Sequence, residues 1–197
     1  MLKRQSKDSK KLIVWICSLI PLFTIGCQDF STFIRLRPYL ANFDKDSQGW
    51  KVSTGAKGGY SPKEGNPSGY IYGIDSSTDT WYFLASDSLV YESKKGYGKT
   101  LSFELEQSAT DSQGITSDDV VLSDGIITLT YNTSYNPAMT WTSYSVKLDE
   151  LSGWKNGNKA VTKDEFRHVL DHLSGLKIRG EFRAGPDRGG LDNVSLK

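Results

Sequence analysis

Cysteine is nearly missing from this chain. Of 197 residues only Cys17 and Cys27 are cysteine, and both lie near the start. The rest of the chain therefore has no disulfide framework and no thiolate metal site. Histidine is as scarce, with His168 and His172 the only two. No Gly-x-Ser-x-Gly elbow accompanies them, which argues against a Ser-His-Asp nucleophile. The net charge is +1, so the basic footprint of a nucleic-acid binder is absent. The long uncharged stretch Leu12–Gly26 has 15 residues, short of the about 20 that a membrane-spanning helix needs. No repeat recurs at a fixed period. What is abundant is glycine, 19 residues of it, with frequent Trp and Tyr among short alternating runs. That composition favours an all-β domain. Beyond its first residues the chain is long enough to bury roughly 70% of its unfolded surface, so a core needs no staple.

The first residues read as an address. Lys3, Arg4, Lys7, Lys10 and Lys11 stand against Asp8, and Leu12–Gly26 follows without a charge and with Pro21 inside it. A basic segment followed by a short apolar one is a signal-peptide pattern. The stretch closes on Thr24-Ile25-Gly26-Cys27, which resembles a bacterial lipobox. The resemblance implies that Cys27 is the lipid attachment and the first mature residue. Thr24 departs from the aliphatic residue preferred three places before the cysteine, and Gln28 supplies no inner-membrane retention signal. Plain secretion and an uncleaved anchor are the alternatives. The expected organisation is a signal peptide over residues 1–27, a tether over 28–37 and one domain over 38–197. The expected location is the cell envelope, outer membrane or cell surface, held by lipid, with secretion as the alternative.

The domain reads as strands and turns. Leu101, Phe103 and Leu105 alternate with Ser102, Glu104 and Glu106, the period of a half-buried strand. Val120–Tyr131 reads as a hairpin turning at Asp124-Gly125, a pair suited to primed turns. Gly55–Ser68 reads as a glycine- and proline-rich loop. One helix is expected over Lys163–Leu173, with a Thr162/Glu165 capping box and an apolar stripe of Phe166, Val169, Leu170 and Leu173. The chain closes on two strands joined by a turn-rich loop. Leu176, Ile178, Gly180 and Phe182 face inward, Lys177, Arg179, Glu181 and Arg183 outward, and Asp192 is placed on the core-side parity of Val194 and Leu196. About nine or ten strands with one helix predict an antiparallel two-sheet jelly-roll sandwich, galactose-binding-like, with one short α-helix.

Several segments in order carry a family resemblance: Trp81-Tyr82-Phe83, Tyr97 to Phe103, Asp119-Val120-Val121-Leu122, Trp141 with Tyr144, Leu148-Asp149-Glu150 with Trp154, the helix, Leu176 to Phe182 and Leu191-Asp192-Asn193-Val194. Together they resemble the laminin IV (laminin B) domain over roughly Trp50 to Lys197. The resemblance implies a β-sandwich of adhesive or structural use with no catalytic role. The cysteine-rich repeats that flank this module in laminins are not in this chain.

Asp192 needs a partner if it is buried. It resembles the last-strand Asp of carbohydrate-binding jelly rolls, in which such a residue meets an acidic group near the first strand and loop carbonyls around one Ca²⁺. The resemblance implies a structural calcium held by Asp44, Asn66, Gly69 and Asp192, a donor set that suits a hard cation. Hydrogen bonds from loop amides, or pairing with Arg188, are the other readings. His168 and His172 have the i, i+4 spacing of zinc ligands, but lie opposite the apolar stripe and read as a surface pair. Glu104 and Glu106 share one strand face instead of facing across a cleft, so glycoside hydrolysis is not expected. Cross-strand pairing with Arg179, Arg183 and Lys177 explains these charges. Tyr60, Tyr72 and Tyr135 are the aromatics placed to meet a ligand. The expected function is a non-catalytic exported surface module that binds an extracellular protein or polysaccharide, with a carbohydrate-binding module as the specific alternative. Nucleic acid is not expected as a partner.

Overall fold

A computed structural model describes residues 38–110 and 116–197. The expected signal peptide over 1–27, with Cys27, and the expected tether over 28–37 lie outside the described residues. Arg37–Lys197 forms one compact unit. Among the described residues no helix is long and apolar enough to cross a membrane.

The chain runs β1 (Tyr39–Ala41), β2 (Lys51–Val52), β3 (Ala56–Ser61), β4 (Tyr70–Asp75), β5 (Tyr82–Leu84), α1 (Asp87–Ser93), β6 (Thr100–Gln107), β7 (Val120–Ser123) and β8 (Thr128–Tyr131). It continues through β9 (Thr142–Lys147), a 3-10 turn (Glu150–Ser152), β10 (Lys155–Asn156), β11 (Lys159–Ala160), α2 (Lys163–Asp171), β12 (Gly175–Arg179) and β13 (Arg188–Leu196). The strands build two antiparallel sheets, as the patterning predicts. A six-stranded sheet has the order β3-β4-β13-β6-β9, with β1 added on β13. A seven-stranded sheet has the order β11-β10-β8-β7-β12-β5-β2.

The core lies between them. Leu101, Phe103 and Leu105 point into it from β6, as the alternation predicts. Trp81 is fully buried and meets Phe83 edge to face at 5.1 Å. Its ring lies against backbone: a Cβ on Gly180 would come within 1.9 Å of Trp81 Cζ3. Helix α2 begins with the predicted capping box and buries Phe166, Val169 and Leu170.

Several local expectations are corrected. A second helix, α1, forms under the Ser86 cap. It buries only Leu89 and Ser93, so seven residues give no readable helical stripe. The first half of the expected loop 55–68 is strand β3, an edge strand whose glycines hide its pattern. The β7–β8 connection is longer than a two-residue turn: Ser123 pairs with Thr128. Asp124 Oδ1 accepts from the amides of Ile126 and Ile127 at 2.7 Å each. β12 and β13 do not pair with each other; they lie in different sheets, and residues 180–187 cross between them.

Arg179 is a buried cation and not a surface one, at 3% exposure. Its Nη1 lies 3.2 Å from Asp119 Oδ1 and its guanidinium 4.3 Å from the Phe182 ring. It also donates to the carbonyls of Glu181 and Ser117. The segments flanking β12 fold over what the alternation marks as a solvent face.

Candidate functional site

Asp192 does not share the core parity of Val194 and Leu196. The register of β13 against β6 shifts between Asp192 and Ser195, and Asn193 sits at φ 50°. This bulge puts Leu191 and Val194 both in the core. Asp192 instead pairs with Glu104, whose side chain points away from the core. An extra residue in one strand flips the parity beyond it.

Asp192 is nevertheless only 1% exposed, because the loop after β3 closes over it. The Asn66 amide donates to Asp192 Oδ2 and the Asn193 amide to Oδ1, each at 2.6 Å. Glu104 Oε2 accepts from the side-chain amides of Asn66 and Asn193 at 2.9 Å. Asn193 also donates to the Asn66 carbonyl, and Ser68 Oγ and Asn42 Nδ2 donate to Asp44. The loop is thus tied to Asp192 through Asn66 and to Asp44 through Ser68. Burial pushes the Asp192 carboxyl up to about 6, with Glu104 and Asp44 adding to the rise against the two amides. A Cβ on Gly65 would meet the Gly69 carbonyl at 2.4 Å and Asp192 Oδ2 at 2.9 Å. Asp44, Asn66, Gly69 and Asp192 therefore do share one neighbourhood. Glu104, read from sequence as a surface ion-pair member, joins them. Arg188 does not: it donates to the Tyr70 hydroxyl instead. Among the described residues no three Asp, Glu, His or Cys side chains converge tightly enough to hold a metal by themselves.

Beside this acidic end lies a flat aromatic row on the same outer face. Tyr72 pairs with Gly59 on one side and Gly190 on the other. Gly190 pairs in turn with Glu106. Trp141 follows as the residue just before β9. Two glycines in this row leave the face without side chains where rings lie down. A Cβ on Gly59 would fall 2.4 Å from Tyr72 Cζ, and one on Gly190 would fall 3.0 Å from Trp141 Cη2. Tyr70 sits between them, 6.0 Å from Tyr72 and edge-on to Trp141 at 5.3 Å, by ring centroids. The Arg188 guanidinium lies 4.2 Å from the Tyr72 ring. Trp141 Nε1 donates to the Glu64 carbonyl at 3.3 Å, tying the loop to the row. Burial raises the Glu106 carboxyl above its ordinary range, Arg188 opposes the rise and Glu64 adds to it. A row of ring faces flanked by charged hydrogen-bonding groups suits a ligand with both apolar faces and hydroxyls.

The three tyrosines singled out by sequence do not converge. Tyr72 belongs to the row. Tyr60 points to the other side of β3 and lines a cleft of about 450 Å³ with Trp50, Val52 and Ile71. Tyr135 stacks on Tyr144 at 5.0 Å and donates to the Ser143 carbonyl. Sequence reading missed Trp141, Glu106, Arg188 and Gly190 as a group. The available signal was a pair of glycine doublets, Gly58-Gly59 and Gly189-Gly190, inside strand patterns, where a missing side chain marks close approach. His168 and His172 are exposed, as expected, with rings 4.5 Å apart. His168 Nε2 lies 3.6 Å from Asp124.

A two-sheet antiparallel jelly roll of this kind defines a β-sandwich module. The chain belongs to the Laminin B (Domain IV) family, which it matches over residues 82–197. Laminin subunit gamma-1 of Homo sapiens is 26% identical over 161 residues, 79% of this chain and 10% of that protein. The chain thus spans about a tenth of the length of the curated relatives it matches. The L4b domain of human laminin alpha-2 shares the fold with a TM-score of 0.52 at 12% identity, over 64% of this chain and 77% of that one. A family 11 carbohydrate-binding module of a Clostridium thermocellum cellulosomal cellulase aligns with a TM-score of 0.50 at 13% identity, over 81% of this chain and 94% of that one.

Proposed function

We propose that this chain is a non-catalytic, exported binding module that holds a polysaccharide on the outer face of its six-stranded sheet. The observation that carries this reading is the row Tyr72–Gly190–Glu106–Trp141, where two aromatic rings lie over bare backbone beside charged groups. Ring faces of this kind stack on the apolar faces of sugars, and the charged groups hydrogen-bond the hydroxyls. The alignment with a carbohydrate-binding module supports the choice of ligand; family membership supports a non-catalytic role. An adhesive contact with an extracellular protein is the second reading, favoured by the laminin relatives.

A structural Ca²⁺ belongs to the same proposal. Its ligands would be Asp44 and Asp192, with Asn66 and Gly69 contributing oxygens from the loop and Glu104 adding charge. The fit rests on the Gly65 cradle, where only hydrogen fills the space before the Gly69 carbonyl and Asp192 Oδ2. Ca²⁺ would hold the loop that Trp141 leans on. Export and lipid attachment at Cys27 would present the face outside the cell. Affinity electrophoresis of the domain in gels cast with soluble polysaccharides tests the reading. Retardation that is lost in Trp141→Ala supports it. Migration unaffected by every polysaccharide rejects it in favour of a protein partner.

A further inference from the structure

Resting on the saccharide reading of this face, we propose that it selects uncharged glycans and rejects uronic-acid or sulfated ones, and that Glu106 imposes the selection. Glu106 sits in the middle of the row, between bare Gly190 and Trp141. A Cβ on Gly190 would come within 3.0 Å of both Glu106 Oε1 and Trp141 Cη2, so the carboxylate lies over the glycine beside the indole on which a sugar ring would stack. Its side chain accepts no hydrogen bond and forms no ion pair with any described residue. The next carboxylate on the strand behaves differently. Glu104 is taken up by Asn66, Asn193 and Ser143.

A half-buried carboxylate is an acceptor only, and its natural complement is a hydroxyl donor. Vicinal hydroxyls of a neutral pyranose supply such donors. A sulfate or a sugar carboxylate supplies none and brings like charge to a partly desolvated site. The surroundings sharpen the effect: Glu64 is close enough to disturb Glu106, and Glu104 and Asp192 follow on the same face. The facing cation, Arg188, is committed to the Tyr70 hydroxyl and stacked on Tyr72. Lys57 and Lys63 are exposed at the edge strand and in the loop, at the rim of the row. The face therefore offers carboxylate acceptors at its centre, where Arg188 is held by Tyr70 and Tyr72, and its lysines stand at the border. Selection by an unfavourable contact with the wrong ligand is as effective as a favourable one with the right ligand.

The test is isothermal titration and affinity electrophoresis of the full domain against neutral polysaccharides (xyloglucan, galactomannan, barley β-glucan) and anionic ones (polygalacturonate, heparin). Wild type, Glu106→Gln and Trp141→Ala are compared, with melting temperatures confirming that each variant folds. Wild type is expected to bind at least one neutral polymer and neither anionic one. Glu106→Gln is expected to lose about tenfold in affinity for the neutral polymer, the scale of one hydrogen bond to a charged group. It should also narrow the gap to polygalacturonate. Binding of anionic polymers as tightly as neutral ones overturns the inference, as does a Glu106→Gln affinity within about twofold of wild type. Binding of nothing in the panel, by a folded wild type, overturns the saccharide reading and this inference with it.

Discussion

Glu104 and Asp192 stand opposite each other on β6 and β13, on the outer side of the six-stranded sheet, and Asn66 donates to both. Like charges directly across a strand pair are destabilising unless something offsets them. Two loop amides offset part of the cost here, and a divalent cation would offset the rest. Millimolar Ca²⁺ is therefore expected to raise the melting temperature of the domain by several degrees, and a chelator to reverse the shift. Asp192→Asn should abolish the response. An identical melting curve with and without Ca²⁺ would remove the metal from the account.

The same carboxyl predicts a pH dependence. Without metal, Asp192 titrates at about 6, against an ordinary value of 3.8. Between those values the folded protein holds a proton that the unfolded chain has lost, so stability falls as pH rises through that window. In chelator, the melting temperature of wild type should drop from pH 4 to pH 6 more steeply than that of Asp192→Asn. Ca²⁺ should help most above pH 6, where the carboxylate is free to bind it. Parallel profiles for the two proteins would show that another group sets the pH response.

Asn193 carries the bulge that turns Asp192 outward. A left-handed conformation costs a β-branched residue about 1–3 kcal/mol, and the Asn193 amide also bonds Glu104 and the Asn66 carbonyl. Asn193→Val is expected to destabilise by about 2–4 kcal/mol once both losses are counted. Asn193→Gly keeps the backbone and loses only the bonds, so chemical denaturation should place it between wild type and Val. Equal stability of Val and Gly would show that the backbone conformation is not what matters.

Trp81 packs flat on Gly180, so Gly180→Ala drives a methyl into the ring. Overpacking of this kind costs about 1–3 kcal/mol or more. Urea denaturation of Gly180→Ala should show at least that loss. Gly185→Ala, open to solvent but at φ 92°, should show only the milder cost of a positive φ.

The sequence-readable parts of this fold are the local ones. Leu101, Phe103 and Leu105 alternate on one strand, and Thr162 with Glu165 caps one helix, so each signal is complete within a few residues. Strand β3 was hidden because Gly58 and Gly59 remove the alternation that would mark it. Helix α1 was hidden because two buried residues are too few to form a stripe. The outward turn of Asp192 depends on a bulge, which a period-two reading cannot register. The ligand face is less legible still. Tyr72, Gly190, Glu106 and Trp141 come from four separate segments of the chain and meet only through strand register. Asp44, Asn66, Gly69 and Asp192 were legible as a set only through likeness to other jelly rolls, and Glu104 enters the set by pairing across strands.

The most direct measurement is a heteronuclear NMR titration of the domain with a neutral oligosaccharide taken from whichever polymer binds. Shifts are predicted to concentrate on the Trp141 indole N–H and the amides of Tyr72, Glu106 and Gly190, with the Trp50–Tyr60 cleft unmoved. Shifts centred on that cleft, or spread evenly over both sheets, would contradict a binding site on the outer face of the six-stranded sheet.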